Sequence, residues 1–255
     1  MDFETVRIEK RGDIAVVTLS RPDCLNAFNY TMMEELTEVA RLFRNDHDTH
    51  AIVLTGEGRA FSAGFDLRQS SPTGSVAERR ALHHRGRHMC RAWEELPQTT
   101  IAAIHGPAVG AGVAIALCCD WRVMARDSYL YVPEIRIGLT LQMQAIPRLV
   151  ALVGPARAKR IVMLCEKMPA EQALEWGIAD ELAAPGEDMA VALRLAEQAC
   201  AMPPAIMTMS KEAINAVANA NLHATSFMDA DVSMLVFDLD DAVKARAPFK
   251  AKAGR

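Results

Sequence analysis

Residues 100–120, TIAAIHGPAVGAGVAIALCCD, constrain the fold of this chain more than any other segment. The apolar residues 100–104 predict a buried strand, and residues 113–119 predict an apolar helix. Between them, residues 105–112 contain three glycines and predict a tight turn. A strand that passes through a short turn into a helix is typical of α/β folds.

This glycine turn fits two different roles. A helix that begins at a glycine turn offers unpaired backbone N–H groups and a partial positive charge, which favour a phosphate or an oxyanion. A tight connection selected only for packing would look the same. The turn lacks the Lys-Ser/Thr of a P-loop, and its spacing, Gly106-x3-Gly110-x-Gly112, is not the GxGxxG dinucleotide fingerprint.

The composition predicts one large globular domain, or one domain with a small appendage. The chain has 255 residues, 51% of them hydrophobic, and a net charge of −4, so we expect no nucleic-acid partner. Residues 1–13 are charged and lack the apolar core of a signal peptide, and no run approaches 18 apolar residues. We therefore expect a cytoplasmic protein that does not span a membrane. The six cysteines lack metal-ligand spacing, so no metal site is predicted.

Strands alternate with helices in the first half of the chain, and helices follow almost to its end. The pattern predicts a hairpin of strands 6–10 and 14–19, further strands at 51–55, 121–125 and 129–132, and helices from Asn29 or Thr31 to 45, from 66–68 onward and at 76–96. Later helices are predicted at 142–152, 155–165, 170–176, 187–202, 204–219 and 222–245. We expect an α/β core with a C-terminal helical portion.

The helical portion is rich in Ala, Met and Leu. Residues 190–201 and 205–220 carry few charges, so they offer more apolar surface than one helical layer buries. Packing against another copy of the chain is one reading, and simple coverage of the chain's own core is the other. We divide the chain into a core with the functional site, 1–195, and a helical portion for self-association, 196–255.

Three short motifs combine into a possible site. Ser62-Ala63-Gly64-Phe65-Asp66 and Gly110-Ala111-Gly112 are two turns that can each offer a backbone N–H to one oxygen, as in an oxyanion hole. Glu134 follows Pro133 at a predicted strand end. A carboxylate partly buried there would have a raised pKa and could transfer protons.

Taken in order, these motifs resemble the crotonase family, the enoyl-CoA hydratase/isomerase superfamily. The resemblance covers nearly the whole chain and includes Arg21-Pro22 through Asn26-Ala27, residues 58–67, residues 101–120, Pro133-Glu134-Ile135 and residues 170–177. It implies a crotonase-like spiral of ββα units, a homotrimer or a hexamer formed by two trimers, and an acyl-CoA thioester as ligand. It implies no cofactor beyond the coenzyme A of the substrate.

The resemblance also implies roles for individual positions. The backbone N–H groups of Phe65 and Ala111 correspond to the family's oxyanion hole, and Glu134 corresponds to a catalytic glutamate. The coenzyme A site would be lined, mainly through main-chain groups, by Cys24, Leu25, Ala63, Phe65, Asp66, Leu67 and Arg68.

One departure from the family pattern affects the expected reaction. Family hydratases use two glutamates, and the first would fall at position 114, where this chain has Ala114. A single glutamate at the Glu134 position is similar to the enoyl-CoA isomerases, so double-bond isomerisation is favoured over hydration. The alternatives are a hydratase or lyase whose second acid/base is displaced, for example to Tyr131 or Glu57, and a non-catalytic homologue that binds coenzyme A or RNA.

Two further features bear on the ligand. Residues 141–144, LQMQ, replace a run that is glycine-rich in many relatives and borders the acyl pocket. His83, His84 and His88 lie among arginines on a predicted helix, which indicates a solvated basic face. Contact between this face and coenzyme A phosphates is the functional alternative.

Overall fold

A six-stranded sheet forms the centre of the computed structural model, which describes residues 2–69 and 74–253. Its strands, in spatial order, are β1 (Val6–Arg11), β2 (Ile14–Leu19), β3 (Ala51–Gly56), β4 (Thr99–Ile104), β6 (Trp121–Ala125) and β9 (Glu181–Ala183). β1 and β2 form the predicted antiparallel hairpin, and all other neighbours are parallel. A smaller sheet contains β5 (Pro107–Val109), β7 (Tyr129–Tyr131) and β8 (Lys167–Pro169).

Ten α-helices lie within the described residues. They are α1 (Tyr30–Arg44), α2 (Val76–Glu94), α3 (Ala111–Ala116), α4 (Ala145–Leu164), α5 (Ala170–Glu175), α6 (Asp188–Cys200), α7 (Pro204–Ala218), α8 (Leu222–Ser226), α9 (Asp229–Phe237) and α10 (Asp240–Ala253). Asn29 caps α1 by accepting from the Met32 N–H, and Ser75 and Glu78 form a capping box at α2.

The central strands are buried on both faces, which explains their continuous apolar sequences. Because side chains alternate along a strand, Ile52 and Leu54 face the larger core, with α1 and α2. Ala51 and Val53 face a second core, where α6 contributes Ala192 and Ala196. The main sheet is therefore packed between two helical layers.

Several element predictions need correction. The predicted turn 105–112 contains the short strand β5, and α4 joins two predicted helices across a kink at Gly154, where φ is +74°, and Pro155. The predicted helix 222–245 is divided into α8, α9 and the start of α10. Residues 67–68 form a turn rather than the start of a helix, and residues 70–73, into which that prediction extends, lie outside the described residues. β8 and β9 were not predicted. Each missed strand has only three residues, too few for a periodic pattern.

The C-terminal helices differ in how they are covered. α6 packs on the main sheet, so this part of the apolar tail covers the chain's own core. α6 also crosses the predicted boundary between residues 195 and 196. The division of the chain into 1–195 and 196–255 stays a prediction. α7 has no buried residue and leaves several large apolar side chains exposed. None of the helices in the described ranges combines the length and apolarity needed to cross a bilayer.

Candidate active site

The three residues predicted to carry chemistry, Phe65, Ala111 and Glu134, line one cavity of about 120 Å³. The cavity lies between the glycine turns, α1 and α2, and the segment that follows β7. α9 and α10 close another side through Ser233, Phe237 and other residues. The tertiary fold thus brings together three motifs whose key residues lie more than twenty positions from one another in the sequence.

The two glycine turns touch each other directly. Ser62 N–H donates to Pro107 O at 3.0 Å, and Val109 N–H donates to Ser62 O at 2.9 Å. Gly112 makes this contact possible, because a Cβ at that position would lie 2.8 Å from the Ser62 Cβ. The backbones of both predicted oxyanion-hole motifs are therefore fixed relative to each other.

The N–H groups of Phe65 and Ala111 donate to no acceptor in the described parts of the chain. Phe28 N–H donates to Gly64 O at 2.7 Å and Asp66 N–H donates to Phe28 O at 2.9 Å, so the Phe65 N–H points away from Phe28. Ala111 is the first residue of α3, where an N–H has no acceptor inside the helix. Two donors are thus available at the cavity.

Alanine at the middle of the Gly110-Ala111-Gly112 turn does not strain the backbone. Ala111 is not among the non-glycine residues with positive φ, and it adopts a helical conformation. The positive φ belongs instead to Gly110, at +49°. The substitution of the usual glycine therefore leaves the N–H donor in place.

Glu134 is buried and lacks a countercharge. It is 9% exposed, and its Oε2 atom has no hydrogen-bond partner among the residues that the structure describes. Burial disfavours the ionised form and raises the pKa of Glu134 to about 7. A carboxyl group with this pKa is available both as a base and as an acid near neutral pH.

The absence of a side chain at Gly110 leaves room for the Glu134 carboxyl group. A Cβ at Gly110 would collide with Glu134 Oε1. Since Ala111 directly follows Gly110, the carboxyl group lies beside the residue that provides one of the two unpaired N–H groups. The arrangement combines a proton carrier with donors that can stabilise a negative oxygen.

The residues that the resemblance assigns to coenzyme A form two adjoining loops. Ala63 N–H donates to Leu25 O at 2.8 Å, and the Asn26 side chain donates to Ala60 O at 2.8 Å. Phe65 and Leu67 line the cavity itself, and Cys24 lies half-buried on the neighbouring loop.

The side chain of Asp66 has a structural partner set. Its carboxylate accepts from Arg68 at 2.9 and 3.0 Å and from Arg21 at 3.1 Å. Burial opposes ionisation of Asp66, but these hydrogen bonds outweigh it and lower its pKa. The Arg68 side chain is itself exposed, so the pair joins the buried loop to the surface.

Neither side chain suggested as a displaced second acid/base lies in the cavity lining. Glu57 bonds to Arg7 at 2.9 Å and to Ser20 at 2.5 Å, away from the lining residues. Tyr131 belongs to β7, where its carbonyl accepts from Gly110. Ala114 does line the cavity, so the position of the absent glutamate faces the site.

The histidines do not form the predicted solvated face. His84 is buried, and His83 is partly buried and lines the cavity. Burial is the largest cause of the lowered pKa of each of these two histidines. His88 is exposed and stacks on His84, with ring centroids 5.8 Å apart.

Polar residues of the cavity wall that sequence reasoning missed include Thr140 and Ser233. Gln142 and His83 also line the cavity. The unusual run at 141–144 pointed to Gln142, and His83 belonged to the predicted basic face. Nothing in the sequence indicated Ser233, because it reaches the cavity only through the packing of α9 on α2.

Comparison with known proteins matches residues 9–253 to the model of the enoyl-CoA hydratase/isomerase family. The chain is 30% identical over 253 residues to the short-chain-enoyl-CoA hydratase of Clostridium acetobutylicum, covering 99% of this chain and 97% of that protein. It is 36% identical over 194 residues to a probable enoyl-CoA hydratase of Mycobacterium bovis, covering 76% and 77%. A crystal structure of an enoyl-CoA hydratase/isomerase from Mycobacterium paratuberculosis superposes with a TM-score of 0.90 at 25% identity, covering 97% of this chain and 100% of that one.

Proposed function

The chain belongs to the enoyl-CoA hydratase/isomerase family and has the crotonase fold, and from this premise we propose that it shifts the double bond of an enoyl-CoA. The observation that carries the proposal is Glu134, a single buried carboxyl group in a cavity that two unpaired backbone N–H groups also line. The substrate class, an acyl-CoA thioester, fits the family.

In the proposed mechanism, the ionised carboxylate of Glu134 removes a proton from C2 of a 3-enoyl-CoA. The electron pair moves onto the thioester oxygen, where the N–H groups of Phe65 and Ala111 stabilise the resulting dienolate. The protonated Glu134 then returns its proton to C4, and the double bond comes to lie between C2 and C3. A pKa of about 7 suits both half-reactions, because neither protonation state of Glu134 is strongly favoured at neutral pH.

The lining of the cavity supports isomerisation over hydration. Hydration needs a second group to position and activate water, and Ala114 cannot do this. Among the described residues that line the cavity, Glu134 is the one carboxylate. Isomerisation needs one proton carrier, so the residues present suffice.

Hydration of a 2-enoyl-CoA is the second candidate, because the two curated relatives described above are named hydratases. For this reaction the water would have to be held by groups other than a second carboxylate, such as backbone or hydroxyl groups of the wall. A third outcome, binding of acyl-CoA without turnover, is the non-catalytic alternative.

We further propose that the protein acts in the cytoplasm as a homotrimer or as a hexamer of two trimers, and that it needs no cofactor besides the coenzyme A of its substrate. The exposed apolar side chains of α7 support self-association. The predicted coenzyme A loops, with Leu25 and Ala63 hydrogen-bonded to each other, would bind the pantetheine mainly through backbone groups.

The test is an assay of the purified protein with 3-enoyl-CoA and 2-enoyl-CoA substrates. We expect conversion of 3-enoyl-CoA, and we expect Glu134→Gln to lower kcat by about 10²- to 10⁴-fold while acyl-CoA still binds in calorimetry. Glu175→Gln, an exposed glutamate outside the cavity, is the matched control and should leave kcat near wild type.

Two results would contradict the proposal. Water addition to 2-enoyl-CoA without isomerisation would replace it with hydration. Full turnover by Glu134→Gln would remove the assigned base.

A further inference from the structure

Several polar side chains line the cavity, although its lining is largely apolar. Thr140 and Gln142 come from the segment after Glu134, His83 from α2 and Ser233 from α9. An unsubstituted hydrocarbon chain needs no such groups, since pockets use a few placed polar groups to orient polar parts of a ligand.

Three of these side chains form a hydrogen-bond chain. Gln142 Nε2 donates to Ser233 Oγ, and Ser233 Oγ lies 3.1 Å from His83 Nδ1. The Nδ1 atom of His83 is therefore engaged by the Ser233 hydroxyl. The second ring nitrogen, Nε2, is left for another partner.

The Nε2 atom of His83 is the ring nitrogen available to a ligand. It has no hydrogen-bond partner among the residues that the structure describes, and His83 lines the cavity. Burial, with a contribution from Arg79, lowers the pKa of His83, so the ring is neutral at pH 7. A neutral imidazole nitrogen suits an uncharged oxygen as its hydrogen-bond partner.

Thr140 provides a second unpaired polar group. Its Oγ1 atom is buried and has no hydrogen-bond partner in the described chain, although the residue lines the cavity. A buried hydroxyl without a partner costs free energy, and a ligand oxygen would remove that cost. This observation is independent of the chain that ends at His83.

We propose that the substrate's acyl group carries a hydroxyl or keto oxygen, which forms hydrogen bonds with His83 Nε2 and with the Thr140 hydroxyl. This inference rests on the proposed acyl-CoA function and narrows it from enoyl-CoA thioesters in general to those with an oxygenated acyl chain. His83 and Thr140 are then specificity-determining residues, and Ser233 and Gln142 position the His83 ring.

The test measures binding in the Glu134→Gln background, where the ligand is not turned over. Calorimetry compares octanoyl-CoA with octanoyl-CoAs that carry one hydroxyl or keto group at each carbon from C5 to C8. We expect at least one oxygenated ligand to bind about tenfold more tightly than octanoyl-CoA, as one well-placed hydrogen bond contributes.

Second substitutions in the Glu134→Gln background identify the residues that cause the preference for oxygenated ligands. His83→Leu and, separately, Thr140→Val should each reduce it, while His83→Gln, which keeps a hydrogen-bonding side chain, should retain part of it. His88→Leu, on the same helix but exposed, is the matched control and should keep the full preference. Since Thr140→Val is nearly isosteric, it tests the proposal even if a histidine variant folds poorly.

The outcomes separate the two proposals. If octanoyl-CoA binds as tightly as every oxygenated ligand, or if the preference survives both His83→Leu and Thr140→Val, the oxygenated-acyl inference is overturned and the acyl-CoA function stands. If none of the acyl-CoAs binds, the proposed function itself fails.

Discussion

At the scale of single residues, the acidity of Glu134 follows from its surroundings. The carboxyl group is buried against Gly110, and Arg246 is the one arginine or lysine in the described cavity lining. Arg246 donates to Gly138 O at 2.6 Å and stacks on Phe237 at 4.0 Å, so its guanidinium is already engaged. Desolvation of Glu134 therefore dominates its pKa.

The raised pKa of Glu134 predicts a pH-dependent cost to stability. The folded state holds the proton more tightly than the unfolded state, so the cost is absent below pH 4.5, grows as pH rises and is complete above about pH 7. The gap between 4.5 and about 7 corresponds to about 3 kcal/mol. Glu134→Gln stays neutral at both pH values. Its stability advantage over wild type should therefore be about 2 to 3 kcal/mol larger at about pH 8.5 than at about pH 5.

Urea unfolding of both proteins at the two pH values measures this difference. Glu175→Gln reports the general effect of removing a surface carboxylate and should show a much smaller change. An advantage of Glu134→Gln that is equal at both pH values would show that Glu134 is not desolvated as described.

At the scale of elements, the turn between β5 and α3 fixes the geometry of the site. Gly110→Ala places a Cβ against Glu134 Oε1 and forces a non-glycine residue to φ +49°. We expect a loss in kcat of about 10²-fold or more, because the proton carrier and the Ala111 N–H move together. The measurement is kcat with the best enoyl-CoA substrate, alongside the thermal unfolding midpoint.

The Gly12→Ala variant distinguishes the effect of backbone strain at a glycine from the effect of the collision between the new Cβ at position 110 and Glu134. Gly12 has φ +65° in the hairpin turn, and a Cβ there would meet nothing within 4 Å. Both variants should lose roughly 1 to 3 kcal/mol of stability from strain, whereas kcat should fall only for Gly110→Ala. Wild-type kcat in Gly110→Ala would exclude the close packing of Glu134 on this turn.

At the scale of the whole molecule, α7 presents an apolar face that the rest of the described chain does not cover. Ile206, Met209, Ile214 and Val217 are 62%, 68%, 67% and 80% exposed. Their spacing places them on one side of the helix. We expect this face to pack against another copy of the chain, so the double variant Met209→Glu/Val217→Glu should shift an oligomer toward monomer in sedimentation velocity.

Leu174→Glu, at an exposed apolar position of α5, is the control and should keep the wild-type association state. A monomeric wild-type protein at micromolar concentration, or a double variant that stays oligomeric, would contradict the assignment of this face.

Much of the architecture could be predicted from the chain. The hairpin of β1 and β2, the Asn29-capped α1 and the buried strands β3 and β4 were predicted within one or two residues, because apolar periodicity and capping act locally. The family and fold inferred from the ordered motifs are confirmed by the comparisons. Three of the four three-residue strands, β5, β8 and β9, were missed because pairing partners, rather than local propensity, create them.

The candidate site could likewise be predicted only in part from the sequence. Phe65, Ala111 and Glu134 were named from motifs, and the structure brings them to one cavity, while their catalytic roles stay predictions. His83 was interpreted as part of a solvated face because its arginine neighbours suggested exposure. Its burial depends on α9, about 150 residues further along the chain.

The sequence by itself determined the fold class, the family and the candidate proton carrier, since these depend on local patterns and on motifs that recur in order. Only the tertiary structure decided which groups surround that carrier. It placed Gly110 under the Glu134 carboxyl group, left Ala114 facing the cavity and joined His83 to Ser233. Desolvation and hydrogen bonding depend on atoms that are distant in the chain, and so the pKa of Glu134 and the polarity of the cavity wall emerge only on folding.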